Sequence, residues 1–322
     1  MARSQKGLLG VSAASVALAS IVSFFGGVAA IANPTIGSKG QTIVAQNPAS
    51  LTIVFPSRSD STDLQNKANA VAAFLSKELR MPVRAQIGDD TAAVEALRAN
   101  RAQVAFLSSR PALKAAQLAN ARLYLAETRD NYSGKFTYNS VFVVPANSPL
   151  KTQSNGRATL AQLRGKKMAF TSPTSGSGFI FPTSELVRFG LVKNRDSLGN
   201  FFGQVSYGGN YSKALQAVLR GQAEAAAVSE YALFPPYITN QERSQLRILH
   251  KIPGVPAHGV AIDDSVAAPM RDRLIAAMLK LNQPANNGLL RNLYNSNELV
   301  KVNHDSHLAP VRDALRRAGI DP

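Results

Sequence analysis

The sequence predicts an α/β protein of two similar lobes with a ligand cleft between them. Three observations predict it. From Leu51 to Leu107, short β-branched or apolar runs alternate with segments of helical periodicity. The same alternation resumes from Asn139 to Ser229. Within that second stretch, AFTSPTSGSGFIFP (Ala169–Pro182) packs seven consecutive small or turn-forming residues, Ser172–Gly178, where a strand should hand over to a helix. In such layouts ligands bind outside the carboxyl ends of the strands.

The elements follow in order. Leu51–Phe55 reads as a buried strand. Pro56–Ser61 is a turn rich in helix-capping residues. Leu64, Ala68, Val71, Phe74 and Leu75 recur at helical spacing. Val83–Ile87 is a second strand, Asp89 and Asp90 cap a helix over Ala92–Arg98, and Val104–Leu107 is a third strand. Strand, helix, strand, helix, strand implies a parallel sheet. The second unit begins with Asn139–Val144. It continues with a helix at Ala158–Leu163, a strand at Lys167–Thr171 and a helix from Pro182 to Phe189. A strand at Phe201–Tyr207, a helix at Lys213–Arg220 and strands at Ala223–Ser229 and Arg247–Lys251 complete it. Pro253–Pro256 reads as a chain break, Asp263 and Asp264 as the start of a helix near Val266, and residues 267–282 and 308–318 as closing helices. There is no internal repeat.

The 322 residues are 45% hydrophobic, enough for one or two packed domains. Charged residues at 17% are too few for a disordered chain. With no Cys, disulfides and thiolate metal sites are excluded. A net charge of +16 suits nucleic acid, an acidic surface or an anionic ligand. The basic residues are scattered, however, with short groups only at Arg164–Lys167 and Arg316–Arg317. No aromatic-rich basic run suits RNA, so no nucleic-acid partner is expected.

Arg3 and Lys6 precede a charge-free stretch from Gly7 to Gly37 that ends its apolar part at Ala30-Ile31-Ala32, an A-x-A cleavage pattern. Residues 1–32 are therefore read as a secretory signal and 33–50 as a linker. An uncleaved anchor is the competing reading, because roughly 20 apolar residues span a bilayer. Either reading puts the body of the protein outside the cytoplasmic membrane, in the periplasm. Absence of Cys rules out a lipid tether there.

A helix N-terminus exposes unpaired N–H groups and partial positive charge. Hydroxyls add donors and Gly lets backbone approach a ligand, so Thr174, Ser175, Gly176, Ser177 and Gly178 suit a tetrahedral oxyanion. The loop lacks the GK[ST] ending of a Walker A motif and the G-x-S-x-G of a nucleophile elbow. It also holds no Lys or Arg, so dipoles and hydroxyls are expected to carry the anion. His304-Asp305-Ser306-His307 reads as a surface segment rather than a metal site. Tyr132 and Tyr138 are candidates for the cleft near the hinge.

Eight segments together resemble the PhnD-like periplasmic substrate-binding proteins of phosphate, phosphite and phosphonate ABC importers. They are Leu51–Ser57, Phe74–Val83, Gln103–Leu107, Tyr138–Val144, Leu160–Phe170, Ser175–Pro182, Tyr211–Val218 and Gly221–Val228. The resemblance spans roughly residues 50–315. Its most specific part is SGSGFIFP, which is similar to the family's S-T-S-G-x-x-x-P loop. It implies a type II periplasmic-binding-protein fold closing by a double hinge, with lobe one at 51–140 plus 253–322 and lobe two at 141–252. By the same resemblance Ser175 and Ser177 grip oxyanion oxygens, Gly176 replaces the middle Thr, and Tyr211 stands where relatives have a His.

Positions that surround the organic end of aminoalkylphosphonates in relatives fall at Thr91, Leu107, Tyr231 and Val255, none of them acidic. A buried ammonium without a carboxylate is costly, so aminoethylphosphonate is disfavoured. Phosphate, phosphite and methylphosphonate remain, with Glu230 or Asp60 as acceptor for a protonated oxyanion. Ser57, Thr91, Ser108 and Tyr231 join the loop and Tyr211 as candidate ligand-binding residues. The expectation is a monomeric, cofactor-free and metal-free binding protein that delivers its ligand to an ABC permease. The rivals are an extracytoplasmic hydrolase with Ser177 as nucleophile and a membrane-anchored ligand sensor.

Overall fold

The computed structural model describes residues 49–58, 63–129 and 136–321. The expected signal, nearly all of the linker, Asp60 and Tyr132 lie outside the described residues.

The first apolar runs form β1 (Leu51–Pro56), β2 (Val83–Gly88) and β3 (Val104–Leu107), linked by α1 (Leu64–Leu79) and α2 (Asp90–Arg98). Then α3 (Ser109–Ala119) leads into β4 (Ala121–Thr128). The second unit runs β5 (Thr137–Pro145), α4 (Gly156–Ala161), β6 (Lys167–Phe170), α5 (Phe181–Arg188) and α6 (Leu198–Phe201). It continues through β7 (Gln204–Tyr207), α7 (Tyr211–Leu219), β8 (Ala225–Ser229), α8 (Asn240–Ser244) and β9 (Leu246–Pro256). The chain closes with β10 (Gly259–Asp263), α9 (Ala268–Leu279), α10 (Asn287–Tyr294), β11 (Glu298–Lys301) and α11 (His304–Ala318).

The strands make two sheets, ordered β11-β4-β10-β3-β1-β2 and β7-β6-β8-β5-β9. β1 pairs parallel with β2 and β3, and β6 parallel with β7 and β8. One central strand in each sheet runs the other way, and in the first sheet the edge strand β11 does too. β10 enters antiparallel between β3 and β4, and β5 enters antiparallel between β8 and β9. Each of these is the first strand after the chain changes sheet. Both sheets thus share the order second-first-third-returning-fourth, with β11 added beyond β4 in the first, and together they form the two-lobe type II fold. The sheets are mixed rather than purely parallel, a consequence of those two returning strands and of β11.

Alternation along the first sheet divides its core. Val54, Ala105 and Leu107 face α2 and α3, whereas Ile53, Phe55, Val104 and Phe106 pack with α1, α9 and α10. Phe55 stacks on Phe106 with ring centroids 5.0 Å apart.

Sequence expectation and structure differ in four places. The sheets change between Thr128 and Thr137 and between Pro256 and Gly259, so borders at 140 and 253 cut through β5 and β9. Pro253–Pro256 does not break the chain, because β9 is an edge strand paired only with β5 and a missing N–H costs nothing on its open side. Phe201 ends α6, so β7 starts only at Gln204. Asp263 closes β10 and accepts from the Ser265 N–H at 2.7 Å, and the next helix begins at Ala268.

The C-terminal segment also differs. α11 opens on an Asn303 cap and buries Leu308, Val311 and Leu315 against the core that contains the second sheet, with α5 and β9 as neighbours. The chain therefore passes between the sheets at two strand-to-strand crossings and returns a third time through α11. His304 is buried there and accepts from the Leu123 N–H at 3.0 Å, so it is a packed residue rather than a surface one. Among the described residues no helix is long and apolar enough to cross a membrane, and no His, Asp and Glu cluster suits a metal ion.

Candidate functional site

A cleft of about 320 Å³ opens where the two sheets present the carboxyl ends of their parallel strands. Residues 56–58 follow β1, residues 89–91 follow β2 and Ser108 follows β3. From the other sheet, residues 171–175 follow β6 and residues 209–211 follow β7. His258, on the second crossing, completes the lining.

Three full helices begin at this cleft. Asp89 caps α2 by accepting from the Ala92 N–H at 2.7 Å, and Asn210 caps α7 by accepting from the Lys213 N–H at 2.9 Å. Ser108 occupies the cap position of α3. A fourth start is the turn before α5, where Ser175 Oγ accepts from the Gly178 N–H at 3.0 Å. Partial positive charge converges on one space.

The charge in that space comes from a residue outside the small-residue loop. Arg58 is 6% exposed and lies over the Tyr294 ring at 4.1 Å. Its Nη1 donates to both oxygens of Glu127 at 2.8 and 2.9 Å. Nε and Nη2 are buried and have no hydrogen-bond partner among the described residues. Glu127 is held further by Arg129 and by the Ser296 hydroxyl, each at 2.9 Å. Burial pushes the Glu127 carboxyl up, but the two guanidiniums overcome that and hold it below the usual carboxylate range. Arg58 in turn stays firmly charged, the attraction of Glu127 outweighing burial. Dipoles and hydroxyls are thus joined in the cleft by a fixed cation, against the sequence expectation.

Behind the loop lies a chain of hydroxyls. Ser177 is fully buried, and its Oγ sits 2.7 Å from Ser229 Oγ, 3.1 Å from Tyr211 Oη and 3.3 Å from Tyr138 Oη. Tyr138 Oη reaches His258 Nε2 at 2.8 Å. Burial, followed by Arg58 and Arg129, pushes the His258 imidazole well below its usual value, so it is neutral at pH 7. Gly178 is required here: a Cβ would stand 2.1 Å from Thr171 Oγ1. At Gly176 the nearest atom to such a Cβ is 3.5 Å away.

Of the residues expected from sequence, Ser57, Thr91, Ser108, Thr174, Ser175 and Tyr211 come together in the cleft lining. Gly176, Ser177 and Gly178 lie one layer behind it, buried. Tyr231 is also buried, packed between Tyr138 and Tyr211 beneath the Arg129 guanidinium at 4.1 Å. Tyr138 belongs to the same layer, and Leu107 and Val255 are core residues. Glu230 is not available as an acceptor, since it takes the Asn139 amide and the Lys251 ammonium, each at 2.6 Å.

Sequence reading missed Arg58 and Asp90. Asp90 is not a second cap: its Oδ2 accepts the Ser108 hydroxyl at 2.6 Å and its carboxylate lines the cleft. The one available signal was position, since both follow a predicted strand directly.

Comparison with known proteins gives a consistent picture. The family described as "ABC transporter, phosphonate, periplasmic substrate-binding protein" matches residues 53–308. The phosphate-import protein PhnD of Mycolicibacterium smegmatis is 25% identical over 254 residues, 77% of either chain. Among solved structures, PhnD1 from Prochlorococcus marinus in complex with methylphosphonate has a TM-score of 0.72 at 20% identity, covering 85% of this chain and 99% of its own. A binding-protein component of an ABC phosphonate transporter from Pseudomonas aeruginosa has a TM-score of 0.71 at 15% identity, covering 84% and 87%.

Proposed function

The chain belongs to the periplasmic substrate-binding proteins of phosphonate ABC transporters, and on that premise we propose that its cleft captures phosphate, phosphite or a small phosphonate. It is an extracytoplasmic component of an importer, as its family is. The observation that carries the ligand class is Arg58, a buried cation with two unpartnered nitrogens at the meeting point of four helix starts. Those nitrogens and the hydroxyls of Ser57, Thr91, Ser108, Thr174, Ser175 and Tyr211 surround a space suited to one tetrahedral oxyanion.

The lobes, 51–128 with 259–301 on one side and 137–256 on the other, close on the ligand about the two crossings. Closure, not chemistry, is the mechanism. Ser177 is a poor nucleophile candidate, since its hydroxyl is fully buried and meets the hydroxyls of Tyr138, Tyr211 and Ser229 rather than an imidazole. The closed monomer docks on a membrane permease, and the N-terminal A-x-A segment is removed on export. N-terminal sequencing tests that last point: a chain starting near Asn33 excludes an anchor.

Titration calorimetry of the mature protein against phosphate, phosphite, methylphosphonate and aminoethylphosphonate tests the ligand. Saturable binding of at least one of the first three, weakened by Ser175→Ala, is the expected result. Turnover of phosphate or acyl esters that Ser177→Ala abolishes would overturn the binding-protein reading.

A further inference from the structure

Beside the anion cleft lies a smaller chamber of about 160 Å³, which shares Asp90, Thr91 and Thr174 with it. Its walls are α2 and α3. Val94 and Leu118 give it an apolar floor. Leu118 is 43% exposed, one of three large apolar side chains left in solvent among the described residues. Capture of a bare oxyanion makes no use of this space.

Two cations border the chamber with donors to spare. Arg110 is tethered on one side, where Nε and Nη2 donate to the Asp321 carbonyl at 3.2 and 2.9 Å. Its Nη1 has only a marginal approach, 3.5 Å to the Pro173 carbonyl. The tether fixes the guanidinium and leaves donors over. Burial, followed by Arg195, pulls its pKa below the usual value while Asp321 opposes, so the charge gains from an anion beside it. Lys114, one turn further along α3, is exposed and has no ion pair among the described residues. The acids of the chamber are already engaged. Glu95 is bonded to Arg98 at 2.9 Å and Asp90 to the Ser108 hydroxyl at 2.6 Å.

We propose, building on the phosphorus-oxyanion reading, that this chamber receives the ligand's substituent and selects one that ends in a second anionic group. The ligand is then a phosphonocarboxylate or the matching phosphate monoester. Its phosphorus end stays in the main cleft, its carbon chain lies along the apolar floor, and its carboxylate meets Arg110 and Lys114. The reach fits. Ser108 lines the cleft, and Arg110 and Lys114 follow it by two and six residues, about 3 and 9 Å along the helix axis. A chain of about two or three carbons ending in a carboxylate covers that range. A substituent ending in an ammonium would meet the same two cations and be repelled.

The test is calorimetry of the mature protein with methylphosphonate, phosphonopropionate, its uncharged amide, its phosphate-ester isostere phosphoglycolate, and aminoethylphosphonate. The readout is the ratio of carboxylate to amide affinity, because a change at Arg110 also touches the Pro173 contact and acts on every ligand alike. At least one carboxylated ligand should bind about fivefold or more tighter than the amide, from one charge-assisted hydrogen bond and one exposed charge. The tighter of the two names the source, phosphonate or phosphate ester. Aminoethylphosphonate should bind more weakly than the amide. Lys114→Gln and Arg110→Gln should each narrow the ratio at least about twofold, and raised salt should narrow it too.

An amide bound as tightly as both carboxylates would overturn the inference. So would aminoethylphosphonate bound more tightly than either, or a ratio unchanged in both variants. The wild-type ratio tests the inference even if Arg110→Gln does not fold. Binding of methylphosphonate without either carboxylate would overturn the inference and leave the ligand reading intact. Binding of no phosphorus oxyanion would overturn that reading, and the inference with it.

Discussion

Replacing Arg58 by Gln separates what holds the lobe from what holds the ligand. Arg58 donates twice to Glu127, lines the cleft and leaves Nε and Nη2 without a hydrogen-bond partner among the described residues. Breaking a buried ion pair by removing one partner costs about 3–5 kcal/mol. Glu127 keeps the Arg129 and Ser296 bonds, so the loss in stability belongs at the low end, about 3 kcal/mol. Folded domains have about 5–15 kcal/mol to lose, and the variant should still fold. If both free nitrogens meet ligand oxygens, each bond contributes about 1.5–3 kcal/mol. Together that is about 3–6 kcal/mol, or roughly a 10²- to 10⁴-fold loss of affinity. Calorimetry with the preferred oxyanion reads the second quantity and urea denaturation the first. Affinity within about threefold of wild type, in a variant shown to be folded, would refute Arg58 as the anion's cationic partner.

Four further outcomes follow from the same geometry. Ser175→Ala removes the cap of the turn before α5, and should cost about 1 kcal/mol in denaturant unfolding as well as weakening ligand binding. Ser177→Ala, one layer behind, should weaken binding less than Ser175→Ala in the same titration, because it acts only indirectly, through Tyr211 and, by way of Tyr138, His258. Gly178→Ala should destabilise by about 1–3 kcal/mol or more, since Thr171 is anchored to the Ala227 carbonyl at 3.0 Å and cannot retreat; Gly176→Ala should stay within about 1 kcal/mol of wild type. Acid stability should depend on Glu185: burial pushes its carboxyl up, but Arg188 and His250 bring it down to about 2. A folded pKa below the unfolded one gives stability that is present above about pH 4.5 and lost as pH falls toward about 2. Melting temperatures over that range should fall less steeply in Glu185→Gln.

The sequence carried the fold where side chains obey a local period. β1, β2, β3, α1 and α7 were readable because each has its own apolar pattern and its own turn. α3, β4, β10 and β11 were not. β10 reads as GVAID between a Pro-rich stretch and a polar turn, and its place between β3 and β4 is set by pairing with residues more than a hundred positions away. Pro253 misled for a related reason: only sheet order reveals that β9 is an edge, where a proline is harmless.

The site divides along the same line. Ser175 and Gly178 announce themselves, because a capped glycine turn needs those residue types in that local order. Arg58 and Asp90 are ordinary charges in ordinary turns, and their meaning lies in what other segments bring to them. Glu127, 69 positions from Arg58, fixes the guanidinium, and Ser108, 18 positions from Asp90, fixes the carboxylate. The loop that identifies the family therefore supplies shape and dipoles. A buried cation and a carboxylate come instead from the opposite lobe, after β1 and β2. A ligand touching only one lobe would not distinguish open from closed; one held by Ser175 on one side and Arg58 on the other binds the closed form more tightly, and that difference is what drives closure.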